Sequence, residues 1–164
     1  MKWSQHTNQH KSSGFTLIEL LVTVLITAIL LGLISINLGR PQTTANVTTS
    51  IDSLLNDLKS QQLLAMSGDK GSQTNAQPHG IYFQSTQYVL FAGTSYSASD
   101  SYNYTVALPA STRLTTTFPS SQVVFNTGAG DVQGFTNGSN TITLTSGTLT
   151  RTITINRLGA LVVN

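Results

Sequence analysis

The chain has 164 residues, of which 39% are hydrophobic and only 9% are charged. Ordinary soluble domains carry about 25% charged residues, so serine and threonine supply much of the polarity here. The length and the apolar content allow one domain with its own core, and they exclude a collagen-like or wholly disordered chain. Cysteine is absent, which excludes disulfides, thiolate metal sites, cysteine nucleophiles and a lipidated cysteine anchor.

The net charge of +2 and the pI near 9.1 originate at the extreme N-terminus. Lys2 and Lys11 lie in a segment without acidic residues, whereas residues 42–164 contain five basic and five acidic side chains. Because this larger region has no net charge and no basic run, it attracts a polyanion weakly. We therefore do not expect nucleic acid to be a partner.

Residues 17–36 form an almost unbroken apolar run, LIELLVTVLITAILLGLISI. As a helix this run reaches ~30 Å, the thickness of the hydrocarbon core of a bilayer. Thr23, Thr27 and Ser35 are compatible with a membrane helix, because their hydroxyls can bond carbonyls of the same helix. With lysines on its N-terminal side, the positive-inside rule predicts a cytoplasmic N-terminus and an extracytoplasmic body.

Three interpretations of the apolar run compete. A cleaved secretory signal peptide would have a shorter apolar region followed by a small-residue cleavage site, and neither is present. A plain, uncleaved membrane anchor gives no reason for Glu19 at the start of the span, where an ionisable group is costly. A third possibility is a basic leader that is cut off before the apolar run, so that the helix stays in the mature protein.

Residues 11–21 read Lys-Ser-Ser-Gly-Phe-Thr-Leu-Ile-Glu-Leu-Leu. This segment resembles the type IV prepilin signal of pilins and type II secretion pseudopilins. The resemblance implies that a membrane aspartyl peptidase, the prepilin peptidase, cuts between Gly14 and Phe15 and methylates the new N-terminus of Phe15. Glu19 then becomes the fifth residue of the mature chain. We expect its carboxylate to act in subunit assembly, offsetting the Phe15 amine of a neighbour at an electropositive helix N-terminus.

The chain is predicted to divide into a leader (1–14), a transmembrane and filament-core helix (15–40), an amphipathic helix (41–67) and a β-rich domain (68–164). Glycine and proline near residue 40 can bend or interrupt the helix between the second and third segments. Gly68 is the predicted C-terminal stop of the amphipathic helix. The apolar residues that form its predicted core stripe are Val47, Ile51, Leu54, Leu55 and Leu58.

Beyond residue 80 the hydrophobic period changes to two, which predicts strands. The fold class is therefore α+β, a pilin-like long N-terminal helix packed on a mainly antiparallel β-sheet body. Residues 68–80 are predicted to form a loop with a solvated His79, and Gly128-Ala-Gly130 is predicted to form a turn rather than a phosphate loop. The predicted strands are residues 81–84, 87–91, 102–108, 122–125, 141–145, 149–156 and 160–163.

The C-terminal half is similar to the module shared by minor pseudopilin H of type II secretion and FimT-like minor pilins. FimT-like proteins that bind DNA carry a basic Gly-Arg-x-Arg pattern, whereas Gly159 is followed here by Ala160-Leu161-Val162. The two arginines of the matching string are expected to be solvated or paired. The residues that carry the similarity are Val123, Val124, Phe125, Asn126, Gly128, Ile142, Leu144, Arg151, Ile153, Ile155, Arg157 and Gly159.

We expect no enzymatic activity, cofactor or metal, because Glu19 is the only glutamate and the aspartates are scattered singly. The first hypothesis is a structural minor pseudopilin of a type II secretion system, in a short periplasmic filament that supports protein export. A minor type IV pilin, serving pilus assembly, adhesion or DNA uptake, is the second. A membrane-tethered binding module using residues 94–104 is the third. The expected partners are prepilin peptidase, other major and minor pilin-like subunits, and the inner membrane.

Overall fold

The computed structural model describes residues 14–37 and 39–164. The chain divides into two compact units, residues 1–39 and 40–164. Helix α1 (Leu17–Asn37) belongs to the first unit, and helix α2 (Gly39–Ser67) begins at the boundary and continues through the second. The strands of the second unit are β1 (His79–Phe83), β2 (Gln87–Ala92), β3 (Tyr104–Ala107), β4 (Thr112–Thr116), β5 (Gln122–Phe125), β6 (Thr141–Ser146), β7 (Leu149–Ile155) and β8 (Leu161–Val163).

The strands form two four-stranded sheets, in which every described strand pair is antiparallel. Sheet 1 has the order β3-β2-β1-β5, and sheet 2 has the order β4-β6-β7-β8. The hairpin of β6 and β7 sets Ile142 opposite Ile153 and closes with Ser146 opposite Leu149. This register keeps the isoleucines on the buried face and most threonines on the outer face, as the period of two requires.

Helix α2 packs on the sheets through the predicted apolar stripe. Leu54 and Leu58 are fully buried, and they join Ile81 of sheet 1 and Ile153 of sheet 2 in one core cluster. The opposite face of the helix, with Asp52, is exposed. The predicted α+β class, with a helix on a mainly antiparallel β body, is therefore confirmed.

The C-terminus of α2 is closed by the predicted glycine. The Gly68 N–H donates to the Ala65 carbonyl at 3.3 Å, and the Asp69 N–H donates to the Leu64 carbonyl at 3.0 Å. This pair of bonds is a Schellman motif, which needs a left-handed residue after the helix. Gly68 has a φ of +73°, where a Cβ would be strained.

A polar side chain of α2 holds two distant turns. The Gln62 Nε2 donates to the carbonyl of Gly130 at 2.8 Å and to that of Leu158 at 3.0 Å. Gly159, with a φ of +79°, lies against the same amide, and a Cβ at that position would collide with the Gln62 side chain. The turns that follow β5 and β7 are thereby fixed to the helix.

A second polar contact attaches α2 to sheet 1. The Tyr88 hydroxyl, on a fully buried side chain of β2, donates to Asp57 Oδ2 at 2.6 Å and lies 3.5 Å from Ser53 Oγ. Burial raises the pKa of Tyr88 well above its ordinary value, and the hydrogen bond to Asp57 raises it further. The hydroxyl stays protonated and keeps donating to the carboxylate.

The structure corrects the sequence analysis at two places in the body. β4 was not predicted, because its buried positions alternate between Thr112 and Leu114 and therefore show little hydrophobic contrast. The prediction of a solvated loop histidine was wrong, since His79 begins β1 and is fully buried. Next to it, Gly80 allows β5 to approach β1 closely, because a Cβ there would collide with the Val123 carbonyl.

Gly32 and Pro41 each lie within a helix of the described chain. α1 runs through Gly32 without interruption, and α2 begins at Gly39 with Pro41 in its first turn.

Candidate processing and assembly segment

The predicted cleavage bond lies in a short non-helical segment just before α1. Gly14, Phe15 and Thr16 precede the helix, which begins at Leu17. No described atom lies within 4 Å of the position that a Cβ of Gly14 would take, and Phe15 is 86% exposed. Within the described part of the chain, nothing covers the bond between Gly14 and Phe15, so a protease cleft could enclose it.

Thr16 and Glu19 form a capping box at the start of α1. The Glu19 N–H donates to Thr16 Oγ1 at 3.3 Å, and the Thr16 N–H donates to Glu19 Oε2 at 3.3 Å. Two N–H groups that lack helical acceptors are thereby satisfied, and a carboxylate is placed at the electropositive end of the helix. Glu19 therefore stabilises its own helix start, a role that the sequence analysis did not assign.

Thr16 is the functional residue that the sequence analysis missed. The string Thr16-Leu-Ile-Glu19 is the Ser/Thr-x-x-Glu pattern of a capping box, so the signal was present. The threonine escapes prediction because the glutamate of this pattern has a second interpretation, as a partner for another subunit.

Helix α1 exposes its apolar side chains on all sides. Even at its middle, Leu25 is 57% exposed and Ile29 is 56% exposed. Thr23 and Thr27 return their hydroxyls to carbonyls of the helix, at 2.9 Å to Leu20 and 2.8 Å to Thr23, which confirms that prediction. The side chain of Ser35 lies outside the described part. An apolar surface of this kind is stable only when lipid or another chain covers it.

In the part of the chain that the structure describes, no helix is long and apolar enough to cross a membrane.

His79 lies in a small polar cluster near the end of α2. Its Nε2 is 3.2 Å from Asp69 Oδ1, and its ring makes an edge contact with Tyr102 at 5.6 Å between centroids. The Tyr102 hydroxyl donates to the same Asp69 oxygen at 3.4 Å. Burial, followed by the Asp69 charge, raises the pKa of Tyr102. The cluster ties the loop after α2 to the loop before β3.

The tyrosines of residues 94–104 are largely occupied within the fold. Tyr96 stacks on Tyr82 with centroids 4.3 Å apart, and Tyr102 packs on His79 as described. Tyr104 is the exposed member of the group, at 66%. The loop is therefore a packed surface element rather than a row of free aromatic side chains.

Several other predicted features have the expected placement. Gly128 and Gly130 both have positive φ in the turn after β5, so the prediction of a turn is confirmed. Arg151 and Arg157 are exposed and form no salt bridge with another described residue. The leader residues before Gly14 lie outside the described part.

The motif at the N-terminus is matched by comparison with known families. Residues 9–35 match the prokaryotic N-terminal methylation motif, a range that includes Gly14, Phe15 and Glu19. No curated protein and no solved structure matches the chain. Cleavage after Gly14 and methylation of Phe15 stay predictions. The chain carries a type IV pilin-like prepilin signal, which implies processing by a prepilin peptidase, assembly with pilin-like subunits and membrane anchoring through the N-terminus.

Proposed function

We propose that this chain is a structural minor pseudopilin of a type II secretion system. It assembles through its N-terminal helix into a short periplasmic filament that supports protein export, and it has no catalytic role. The observation that carries the proposal is the coincidence of the methylation motif at residues 9–35 with α1, whose apolar side chains are exposed from Leu17 onward.

The exposed surface of α1 favours an assembly role. Fully burying one Leu, Ile or Val side chain contributes about 1.5–3 kcal/mol, so covering the whole helix is strongly favourable. Lipid can cover α1 in the membrane, and the helices of neighbouring subunits can cover it in a filament. The mature chain, from Phe15 onward, has six basic and six acidic side chains, so net charge repulsion does not oppose packing of copies.

Glu19 is proposed to take part in registration between subunits. The macrodipole disfavours the new Phe15 amine at the helix N-terminus, and a carboxylate nearby offsets that charge. Because Glu19 also caps its own helix through Thr16, its carboxylate is already held at the N-terminal turn of α1. Pairing with a neighbour then costs little side-chain entropy.

The assignment to the pseudopilin H group rests on the string from Val123 to Gly159. Four members of that string, Ile142, Leu144, Ile153 and Ile155, are fully buried in the core, which explains their apolar character. A minor type IV pilin would share this architecture, so the two roles differ in the filament that the chain joins.

The first experiment is mass spectrometry of the mature N-terminus in the native host. We expect loss of residues 1–14 and an N-methylated Phe15. An intact leader would contradict both pilin-like roles. In a mutant lacking the protein, reduced protein export supports the pseudopilin role, whereas loss of a fibre from the sheared-surface fraction favours the minor pilin.

The second experiment separates the two roles of Glu19. Glu19→Gln keeps an oxygen that can accept the Thr16 N–H but removes the charge, whereas Glu19→Ala removes both. We expect both variants to be processed normally and both to be incorporated poorly into filaments. If Glu19→Gln is incorporated like the wild type, the charge has no role in registration and Glu19 acts only as a cap.

A further inference from the structure

A cavity of about 210 Å³ opens in the β-rich unit. It lies between residues 118–122, which lead from β4 in sheet 2 to β5 in sheet 1, and residues 132–139. Phe118 and Phe135 line part of its wall, together with polar residues and a few aliphatic ones.

The polar side chains of the wall have unused hydrogen-bonding capacity. The Gln122 Oε1 accepts the Tyr96 N–H at 3.0 Å, which leaves the amide hydrogens of Gln122 available. Gln133 is exposed, and its side chain has no hydrogen-bond partner among the described residues. Each such amide offers two donors beside an acceptor, so the pair can bind neighbouring hydroxyl groups of a ligand.

The backbone at the rim of the cavity is strained. Ser120 and Ser121 both have a φ of 53°, in the left-handed region that non-glycine residues rarely occupy. Ser120 lines the cavity. Strained residues persist where the surrounding structure holds them, and they concentrate at binding sites. The strained turn between the two sheets therefore borders the cavity.

The wall carries no charged side chain: its other lining residues are Thr94, Pro119, Val124, Val132, Gly134, Thr136 and Ser139. A phosphate, a nucleic acid or a charged peptide would find no counter-charge there. Aromatic faces combined with amides and hydroxyls match a sugar, which presents C–H groups on one face and hydroxyls at its edge. Sites for drug-sized ligands measure about 300–1,000 Å³, so this smaller cavity suits a single ring.

We propose that this cavity binds one pyranose ring of a neutral glycan. Phe135 packs against the C–H face of the ring, and the amides of Gln122 and Gln133 bond its hydroxyls. Thr94, at the start of the Tyr-rich loop, lines the cavity, but none of the tyrosines of that loop does. The site functions whether or not the chain assembles into a filament. A failure of filament assembly would leave this proposal intact, and the reverse also holds.

The test uses the full chain in detergent micelles and saturation-transfer NMR. The probes are glucose, galactose, N-acetylglucosamine and the neutral tripeptide Gly-Ser-Thr. We expect transfer of saturation from the protein to at least one sugar. In Gln133→Ala the affinity for that sugar should be about tenfold weaker, because roughly one or two hydrogen bonds are lost. Gln73→Ala is the matched control, because Gln73 is an exposed glutamine outside the cavity.

Two results would overturn the proposal. One is the absence of saturation of every sugar up to its solubility limit, including the case in which only the tripeptide binds. The other is an affinity for sugar that is the same in Gln133→Ala as in the wild type, when Gln133→Ala and Gln73→Ala both unfold at the wild-type temperature. Because Gln133 is exposed and its side chain is unbonded, its truncation leaves the fold in place and makes the comparison decisive.

Discussion

The two helices of this chain contain similar apolar residues and use them in opposite ways. In α1, Leu25 and Ile29 are more than half exposed, whereas in α2 Leu54 and Leu58 have no exposed surface. α1 is apolar on every face, and α2 has one apolar stripe that its own sheets cover. The difference separates a helix that needs partners outside the chain from a helix that completes the core within it.

The same contrast extends to the polar contacts of the helices. α1 satisfies its polar groups locally, through the Thr16–Glu19 capping box and threonine hydroxyls bonded to carbonyls within the helix. α2 reaches far along the chain, with Asp57 bonded to Tyr88 and Gln62 bonded to two turns. Local contacts allow a helix to keep its structure when its surroundings change. Long-range contacts bind it to one fold.

The largest expected effect comes from shortening a buried leucine of α2. Leu58→Ala should lower the free energy of unfolding by about 2–5 kcal/mol, because a cavity remains where the side chain packed between the sheets. Leu25→Ala in α1 is the matched control and should change the stability of the β-rich unit by less than about 0.5 kcal/mol. Urea denaturation of both variants in detergent would check this. If both variants lost a similar free energy of unfolding, α1 and α2 would not differ in their contribution to the core.

A medium effect is expected from the tyrosine that holds α2 on sheet 1. Tyr88→Phe should lower the free energy of unfolding by about 1.5 kcal/mol at neutral pH, since Asp57 loses a donor. Because the pKa of Tyr88 is raised in the folded state, the folded protein retains this proton where the unfolded chain releases it. The wild type should therefore lose stability as the pH rises above about 10.

In Tyr88→Phe the loss of stability at alkaline pH should be smaller than in the wild type. The contribution of Tyr102, whose pKa is also raised, should remain. The exposed Tyr104 on the neighbouring strand offers a control. Tyr104→Phe should leave the stability at neutral pH unchanged and alter its alkaline dependence only slightly, because the Tyr104 charge is the smallest of the causes that raise the pKa of Tyr88. Denaturation curves at a series of alkaline pH values would measure this. If the free energy of unfolding of Tyr88→Phe falls with alkaline pH as steeply as that of the wild type, Tyr88 is not the source of this loss of stability.

The smallest effect concerns the N-terminal cap of α1. Thr16→Ala should weaken the first turn by about 1 kcal/mol, because the Glu19 N–H loses its side-chain acceptor. Amide hydrogen exchange should speed up from Leu17 to Leu20 and stay unchanged in the β-rich unit. Thr23→Ala is the control, since its hydroxyl bonds a carbonyl inside the helix. Equal acceleration in both variants would show that the cap is not what holds the turn.

Most of the fold could be predicted, since it follows patterns that repeat along the chain. The α2 stripe around Leu54 and the β6–β7 hairpin around Ile142 obey strict periods, and the structure buries both. β4 escaped prediction because Thr112 takes a buried position that the pattern treats as polar. The arrangement of the strands in two separate sheets depends on pairing between distant segments, which a local period cannot report.

The candidate site was predicted unevenly for a similar reason. Gly14, Phe15 and Glu19 lie in a short linear motif that a sequence displays completely. The surroundings of His79 could not be predicted in this way, because its contacts come from Asp69, ten residues earlier, and from Tyr102 in another loop. The cavity that we propose as a sugar site is harder still to predict, since it forms where residues 118–122 and 132–139 meet.

The contact made by Gln62 has a consequence for the order in which the chain folds. Its amide bonds residues 68 and 96 positions farther along, so these bonds need α2 and both turns to be in place. Loop closure over such separations is slow compared with the formation of a helix or a hairpin. We therefore expect the Gln62 contacts to form late, after β6 and β7 have paired, and to slow unfolding more than they speed folding.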